Sequence, residues 1–458
     1  MSEEPNGNSS EKTGASSLGR REFLRLLATT GMIGALPSVF LSACAPAAAP
    51  PATATVVSST AASSSSPTAS SQAQGVQILK VGNTEPYNVA TGVETKKGLE
   101  LLVDDFNNSG GITIKAQKYQ IQLVSYDDKY STDGGKAAAE RLVNQDNVKY
   151  IVGQYFSGAI LGTQTVTEPA KVLVFSSGAS DNIVAPSTKY TFRANWATVD
   201  MVKWLYVTKT FSNIKTVVHT GGDNETGHSR GDLLEKMAKQ FGFKVADHFY
   251  LPSNTKDFSA MAARIAAIKP DVLDTAGWAG GADLGLILKA LAQTGWKGPI
   301  LTGYWYPQDF LPVAGAQAAE GVIGATQDLN GLVTEPPAVV VKLKQLYEAK
   351  YGAGSWNSNA VVGLPGWDLF LAALKKADSI DPDDIRAALA NGVAFDAHTG
   401  PAMMVKRPDV GTKRFVDSLT PQPIVRFENG KTVLKTIITP EDGLKFIESV
   451  FGFAGEWK

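Results

Sequence analysis

The chain of 458 residues carries 43 basic and 44 acidic side chains, which gives a formal net charge of −1 at pH 7. Because there is no excess of basic charge, a nucleic-acid-binding protein is not expected. The single cysteine, Cys44, excludes an internal disulfide and a thiolate metal site. The four histidines lack metal-ligand spacing, so the sequence predicts no metal and no other cofactor.

The N-terminal region predicts export. Arg20 and Arg21 precede a moderately apolar run over 26–40, which is too short to span a membrane permanently. The arginine pair resembles a twin-arginine export signal, and the motif LSAC that ends at Cys44 resembles a bacterial lipobox, in which the cysteine is lipidated and becomes the mature N-terminus. The alternative is a chance arginine pair before a chance apolar run. We therefore expect a signal peptide over 1–43 and a lipid anchor at Cys44.

The segment 44–75 is predicted to be a disordered linker, because it is rich in Ala, Ser, Thr and Pro and has no charged or aromatic residue. After it, β-rich runs alternate with helical patterns. In chain order the first series reads as strand 78–83, helix 92–111, strand 119–128, helix 134–145, strand 148–156, helix 157–170 and strand 171–180. The second series reads as strand 215–222, helix 230–242, strand 244–251, helix 257–270, strand 271–278, helix 282–295 and strand 298–306. The chain closes with strand-like 322–330, helices near 336–351, 360–376 and 382–391, and strand-like 423–437.

This alternation predicts right-handed βαβ units and parallel sheets, and two series predict two α/β lobes. In such sheets ligands bind outside the carboxyl ends of the strands. Ser157 follows one strand, and the run Gly178, Ala179 and Ser180 follows the next. Hydroxyls and free N–H groups at helix N-termini bind carboxylates, so the two loops could together hold one anion. The alternative is that both are ordinary helix N-caps.

One pattern favours an enzyme. The segment GHSRG over 227–231 fits the G-x-S-x-G nucleophile motif, with Ser229 as nucleophile and His398 as a possible partner. That motif needs the serine on a sharp turn directly after a strand, whereas here a loop intervenes and Ser229 lies at a helix start. The chain also contains no phosphate-binding glycine motif. We therefore expect no enzyme, with a hydrolase using Ser229 as a lesser alternative.

Several moderate motifs occur in one order along the chain: VGNTEPYN, VDDFNNSGGI, SYDDKYS, VGQYFSG, FSSGAS, GDNETG, TKDFSAMAARI and GPILTGYW. In this order they resemble the leucine/isoleucine/valine-binding proteins, which are extracytoplasmic solute-binding subunits of ABC importers. The resemblance runs from about residue 78 to the C-terminus. It implies the type I periplasmic binding protein fold, with two doubly wound parallel-sheet lobes joined by a three-crossing hinge that closes on the ligand. It places lobe one over 76–197 and 330–418, and lobe two over 198–329 and 419–458.

By this resemblance Ser157 binds the ligand carboxylate, and the loop 178–180 binds carboxylate and ammonium. Two positions depart from the family. Thr226 stands where a tyrosine is common, and Thr255 stands where amino-acid binders often carry an acid. Because a buried ammonium without a charged partner is costly, either another acid replaces it or the ligand has no amino group. The candidate acids are Glu85, Glu225 and Asp283.

Aromatic residues in loops after strands could form the walls of a cleft; they are Tyr87, Tyr155, Trp278, Trp305 and Tyr306. Large apolar faces with a few polar groups suit an apolar or aromatic carboxylate. The alternative for each is core packing or a hinge contact, as for Trp196 near the first predicted crossing. Trp367 is expected in the core, and Asp257 is expected to cap the following helix.

The sequence therefore predicts an exported, monomeric lipoprotein that captures a small solute and delivers it to ABC permease subunits. A branched-chain or otherwise apolar amino acid is the leading ligand. An aromatic or other carboxylate without an amino group is the alternative, and a sensory ectodomain is a lesser one.

Overall fold

The computed structural model describes residues 75–195, 198–278 and 281–458. The predictions for Arg20, Arg21, Cys44 and Trp196 lie outside these residues. Within them, no helix is long and apolar enough to cross a membrane.

Two sheets and their covering helices make up the described chain. The strands are β1 (Gln77–Glu85), β2 (Ile112–Ile114), β3 (Gln117–Asp127), β4 (Tyr150–Val152), β5 (Leu173–Ser176), β6 (Thr191–Arg193), β7 (Thr216–Gly222), β8 (Lys244–Leu251), β9 (Val272–Gly277), β10 (Ile300–Tyr304), β11 (Ile323–Ala325), β12 (Ala394–Ala397), β13 (Gly400–Arg407), β14 (Thr412–Leu419), β15 (Gln422–Glu428) and β16 (Lys431–Ile438). The helices are α1 (Ala90–Asn108), α2 (Thr132–Asn144), α3 (Ser157–Ala170), α4 (Thr198–Thr210), α5 (Glu225–Phe241), α6 (Ser259–Ile268), α7 (Gly281–Thr294), α8 (Pro307–Ala314), α9 (Ala316–Ala319), α10 (Ala338–Tyr351), α11 (Leu364–Ala377), α12 (Pro382–Ala390) and α13 (Pro440–Phe451).

Each sheet defines one lobe. The lobe-one sheet has the order β12-β13-β14-β6-β5-β4-β1-β3-β2, and the lobe-two sheet has the order β16-β15-β11-β10-β9-β7-β8. The chain passes between the sheets three times, after β6, after β11 and after β14. The predicted fold class of two α/β lobes with a three-crossing hinge is confirmed. The lobe limits given from the sequence stay a prediction.

The central strands of each sheet are parallel, as the alternation of strands and helices predicts. β1 pairs in parallel with both β3 and β4, and β7 pairs in parallel with both β8 and β9. The sheet edges differ, because β2, β12, β13, β15 and β16 pair in antiparallel. The strands over 394–419 were not predicted from the sequence. Connections this short suit antiparallel strands, since a parallel crossover needs a dozen or more residues.

Apolar residues at helical and strand spacing build the core of lobe one. Phe175 on β5 lies against Phe370 on α11, with ring centroids 5.5 Å apart. Trp367 is buried on the same helix, as predicted, and its ring meets Phe106 of α1 edge-on. Polar caps fix several helix starts: Ser131 Oγ accepts from the N–H of Gly134 at the start of α2.

An ion network, buried except at the partly exposed Asp181, lies where the chain leaves lobe one. Arg193 at the end of β6 donates to Asp417 of β14, with Nη2 2.6 Å from Oδ2. Arg407 Nη1 lies 3.0 Å from the same carboxylate oxygen, and Arg407 Nη2 lies 2.7 Å from Asp181. Arg193 Nη1 also donates to the carbonyl oxygens of residues 178, 179 and 180. The network therefore ties the hinge strands to the loop that follows β5.

Candidate functional site

A cavity of about 360 Å³ lies between the lobes, outside the carboxyl ends of the strands. Lobe one contributes the start of α1 and the turn after β3, and lobe two contributes the ends of β7 and β9 and the start of α7. The volume is in the range of small-molecule sites. Because both lobes line it, closing or opening the hinge would change access to it.

Tyr130 forms the lobe-one wall of this cavity through a strained turn. Lys129 and Tyr130 both have φ of 55°, a left-handed conformation that is uncommon for residues other than glycine. Side chains at the end of β3 hold the turn: Asp127 Oδ1 accepts from the N–H of Lys129 at 2.8 Å, and Asp128 Oδ1 accepts from the N–H of Tyr130 at 2.9 Å. The Tyr130 ring stacks on Phe156 at 3.8 Å. This fixed ring gives the cavity an apolar face.

Trp278 forms the facing aromatic wall on lobe two, where the sequence predicted a ligand contact. Its indole N–H donates to Thr220 Oγ1 at 3.1 Å, and its ring meets Phe258 edge-on at 5.2 Å. The ring is therefore held rigidly, with its orientation set by β7 and α6.

Asp283 is the member of the three candidate acids that lies on the cavity wall. It stands in the first turn of α7, where the helix dipole favours negative charge. Burial nevertheless raises the pKa of Asp283 to about 6, opposed by the charge of nearby Lys256. A half-buried carboxylate of this kind can gain from a cationic ligand group.

The predicted carboxylate loops do come together. Ser157 Oγ accepts hydrogen bonds from the N–H groups of Ala179 at 2.9 Å and Ser180 at 3.1 Å. A Cβ atom at Gly178 would come within 2.5 Å of the side-chain ends of Ile160 and Ile183, so a larger residue there would make these side chains shift. We call Ser157, Gly178, Ala179 and Ser180 the serine cluster. Its members are all buried, and none is among the described residues that line the cavity.

Glu225, the second candidate acid, crosses from lobe two to the serine cluster. Its Oε1 accepts from Ser180 Oγ and from Asn182 Nδ2 at 2.9 Å. The neighbouring Thr226 is buried, and its Oγ1 has no hydrogen-bond partner among the described residues. The first turn of α5 therefore packs directly on the serine cluster.

Glu85, the third candidate acid, lies beneath the cleft in lobe one. It is fully buried at the end of β1, and burial raises its pKa well above the ordinary value, with a further rise from Asp128. Burial likewise raises the pKa of Asp128 to about 7, against the Tyr130 N–H bond, which lowers it. Glu85 Oε2 and Asp128 Oδ2 have no hydrogen-bond partner among the described residues.

The remaining predicted residues lie off the cavity wall. Tyr155 packs with Phe156 and Tyr306 in an aromatic contact between the lobes, and its hydroxyl has no partner among the described residues. Tyr87 is half-buried and donates its backbone N–H to Asp127. Thr255 donates its hydroxyl to the carbonyl of Pro252 at 2.7 Å, within its own turn.

Trp305 belongs to the core of lobe two instead of a cleft wall. It is 3% exposed, packs against Phe310 and Phe427, and donates its indole N–H to Thr432. Asp257 was predicted to cap α6, but the N-cap position is Phe258. Asp257, one residue earlier, accepts from the N–H of Ser259, the first residue of the helix.

The enzyme motif does not form a serine–histidine pair among the described residues. Ser229 lies on α5, and its hydroxyl donates to Glu225 at 3.3 Å. His398 lies in lobe one, where its Nδ1 is 2.9 Å from Asp368. Within 75–195, 198–278 and 281–458, no group of three or more His, Cys, Asp or Glu side chains could hold a metal ion.

Several residues that line the cavity were not predicted from the sequence; they include Asn88 to Thr91, Lys129, Tyr130 and Asp309. The motif SYDDKYS contains one usable signal, since two aspartates after a strand favour a tight turn.

Two lobes, three crossings and a cavity between them form a geometry that could enclose a small solute. The chain belongs to the periplasmic binding protein family, whose model matches residues 81–414. This membership makes it an exported solute-binding protein of the ABC transporter type.

Relatives are similar to the chain in sequence, and solved structures are similar to it in fold. The chain is 26% identical over 315 residues to the Leu/Ile/Val-binding protein homolog 8 of Brucella abortus, covering 65% of this chain and 75% of the relative. Its fold resembles that of LivJ, a branched-chain amino acid transporter substrate-binding protein from Streptococcus pneumoniae in complex with isoleucine, with a TM-score of 0.62, 20% identity and coverage of 79% of this chain and 99% of LivJ. It also resembles a solute-binding protein of an ABC transporter from Rhodopseudomonas palustris in complex with 3,4-dihydroxybenzoic acid, with a TM-score of 0.61, 20% identity and coverage of 79% and 98%.

Proposed function

We propose that this protein captures a small amino acid, branched-chain or otherwise apolar, between its lobes by hinge closure and delivers it to ABC permease subunits. In this proposal Arg20 and Arg21 direct export, and lipidated Cys44 holds the monomer on the outer side of the cytoplasmic membrane. The residues 44–75 act as the tether. The observation that supports the proposal is the cavity between the lobes, with an aromatic ring on each side and the Asp283 carboxylate on its wall.

Asp283 takes the place of the acid that is absent at Thr255. The ammonium of an amino acid would pair with its carboxylate, while the side chain would lie between the rings of Tyr130 and Trp278. The Glu225–Ser180 contact would then act as a latch that stabilises the closed lobes. The names of the Brucella relative and of LivJ, both concerned with branched-chain amino acids, favour this ligand class.

Thermal unfolding with matched ligands tests the proposal. L-Leucine is compared with 4-methylpentanoate, which lacks only the amino group. A ligand at one hundred times its Kd adds about 2.7 kcal/mol to the free energy of unfolding. We expect stabilisation by L-leucine or another apolar amino acid. In Asp283→Asn its affinity should fall about ten- to one-hundredfold, since the amide oxygen can still accept a hydrogen bond from the ammonium but no longer carries a negative charge.

The control variant is Asp133→Asn, which changes an exposed acid in the first turn of α2, outside the cavity. It should bind as the unaltered protein does. Absence of stabilisation by every apolar amino acid would sink the leading ligand class.

A second ligand class is an aromatic carboxylate without an amino group. The observation that favours it is the pair of aromatic walls together with Lys129 and Lys256 on the cavity surface. The Rhodopseudomonas palustris protein in complex with 3,4-dihydroxybenzoic acid supports it as well. Stabilisation by 3,4-dihydroxybenzoate, unaffected by Asp283→Asn, would select this class over an amino acid.

The predicted contacts at Tyr87, Tyr155, Thr226, Thr255 and the serine cluster stay proposals. The hydroxyls of Tyr87, Tyr155 and Thr226 are buried without described partners, and a ligand reaching past Tyr130 could satisfy them. Single substitutions of these hydroxyls, measured by the same thermal assay, would show whether the ligand extends that far.

A further inference from the structure

The N-terminus of α1 opens onto the cavity with unused hydrogen-bond donors. Ala90 and Thr91 lie on the cavity wall. The first helical hydrogen bond of α1 joins the N–H of Val93 to the carbonyl oxygen of Val89 at 3.2 Å. No described residue accepts from the N–H groups of Ala90, Thr91 or Gly92, as helix geometry leads one to expect for a first turn.

No side chain of α1 supplies the missing acceptor. Its N-cap residue is Val89, which has no side chain able to cap, and the first turn contains no acidic residue. By contrast, α5 borders the same cavity and is capped by Asn224, whose Oδ1 accepts from the N–H of Gly227 at 3.1 Å. The helix dipole of α1, a helix of 19 residues, therefore presents positive potential to the cavity without a counter-charge of its own.

Thr91 is the second, independent observation. Its side chain is 1% exposed, and its Oγ1 has no hydrogen-bond partner among the described residues. A buried hydroxyl without a partner is uncommon in folded proteins and costs free energy. Lys129 lines the cavity from the same lobe as Thr91, while Lys256, Asp283 and Asp309 line it from the facing lobe. The charge of Lys256 acts on Asp283, so Lys129 is the cation on the α1 side of the cavity.

The serine cluster, where the sequence placed the ligand carboxylate, offers fewer donors. The N–H groups of Ala179 and Ser180 already donate to Ser157 Oγ. The Ser180 hydroxyl already donates to Glu225, so a carboxylate of the protein itself lies against that loop. A ligand carboxylate at the serine cluster would have to displace Glu225 and break these bonds.

We propose that the N-terminus of α1, with the Thr91 hydroxyl, is the subsite that binds the carboxylate of the captured ligand. This subsite adds detail to the proposed function and depends on it only for the identity of the ligand. An amino acid and an aromatic acid both carry a carboxylate, so either could bind there. Asp283 on the opposite lobe completes the site for a zwitterion. The serine cluster and Glu225 serve to join the lobes.

Two variants remove donors with little change of shape. Thr91→Val replaces the hydroxyl by a methyl group. Ala90→Pro deletes one N–H at the first helical position, which proline favours, and Val89 before it already has the extended φ of −123° and ψ of 133° that a residue preceding proline adopts. Thr165→Val, an exposed threonine on α3 far from the cavity wall, is the matched control.

Calorimetric titration of the full chain uses L-leucine and L-leucinamide, which lacks the carboxylate charge. We expect Thr91→Val and Ala90→Pro each to weaken L-leucine binding about ten- to one-hundredfold, and Thr165→Val to leave it unchanged. L-Leucinamide should bind weakly to the unaltered protein and no more weakly to Thr91→Val. Unchanged L-leucine affinity in both variants, with a large loss in Ser157→Ala, would overturn the subsite and return the carboxylate to the serine cluster.

A second experiment, which does not need the natural ligand, tests the α1 subsite separately from the proposed function. If L-leucine does not bind the unaltered protein, the proposed ligand is wrong, and sodium sulfate then serves as the probe of the subsite. Sulfate should raise the unfolding temperature of the unaltered protein more than that of Thr91→Val or Ala90→Pro, at matched ionic strength in sodium chloride. An equal response of all three proteins to sulfate would overturn the subsite.

Discussion

The buried network at the hinge yields the sharpest stability prediction. Asp417 is fully buried and faces two fully buried guanidiniums, with Oδ2 at 2.6 Å from Arg193 Nη2 and 3.0 Å from Arg407 Nη1. Replacing Asp417 with Asn keeps the shape but leaves two cations near each other without this carboxylate. Breaking a buried ion pair from one side typically costs about 3 to 5 kcal/mol. We expect a loss of that size in the free energy of unfolding.

Urea unfolding at neutral pH measures this loss through the transition midpoint, at an unchanged slope against denaturant. Asp442→Asn is the control, because Asp442 is exposed and lies 3.9 Å from the exposed Lys445; surface pairs of this kind contribute little. Because Arg193 also holds the carbonyls of residues 178–180, Asp417→Asn should also loosen the contact between Ser180 and Glu225 that joins the lobes. A destabilisation no larger than that of Asp442→Asn would refute the reasoning.

Three further predictions follow from the buried acid, the lobe contact and the anchor. Burial raises the pKa of Asp128 to about 7, so the folded protein keeps a proton that the unfolded chain releases, and stability should fall as pH rises from about 4 to about 7. Asp128→Asn should make the free energy of unfolding depend less steeply on pH. Near pH 8, urea unfolding should give the variant a free energy of unfolding on the order of 2 kcal/mol higher than that of the unaltered protein. If the free energies of both proteins change with pH in the same way, this prediction is wrong. Glu225→Ala removes the contact with Ser180 and should raise the radius of gyration of the ligand-saturated protein in small-angle scattering, whereas an unchanged radius would show that the contact does not hold the lobes closed. Cys44→Ala should release the protein from the membrane fraction without changing its ligand affinity, and continued retention would disprove the proposed anchor.

The sequence predicts the alternating framework because each lobe is built from buried parallel strands and amphipathic helices, whose apolar runs are long and regular. It also predicts the meeting of Ser157 with residues 178–180. Those loops follow β4 and β5, which are adjacent parallel strands, so their carboxyl ends share one edge.

The antiparallel strands β12 to β14 were not predicted, because no α-helix separates them and the alternation that marks a βαβ unit is therefore absent. Trp305 illustrates a second limit. Side chains alternate across a strand, and the segment Tyr304-Trp305-Tyr306 sends Trp305 into the core of lobe two while Tyr304 and Tyr306 pack at the lobe-one contact. Which of two successive side chains faces the cleft depends on how the whole sheet is placed. The local sequence does not specify that placement.

The cavity itself depends on tertiary contacts that no short motif encodes. Tyr130 reaches it through two left-handed residues held by Asp127 and Asp128. Asp283 and Trp278 reach it from the other lobe, where both belong to the unit formed by β9 and α7. Their convergence is set by the three crossings, and therefore only the residue types could be predicted.

Calorimetric titration of the purified full chain with apolar L-amino acids, each paired with its deaminated acid, shows whether the cavity between the lobes captures an amino acid. We expect one-to-one binding of at least one amino acid, weaker binding of its deaminated partner, and a loss of about tenfold or more in the affinity of Asp283→Asn for that amino acid. Binding of a deaminated or aromatic acid in preference to every amino acid, with no effect of Asp283→Asn, would contradict it.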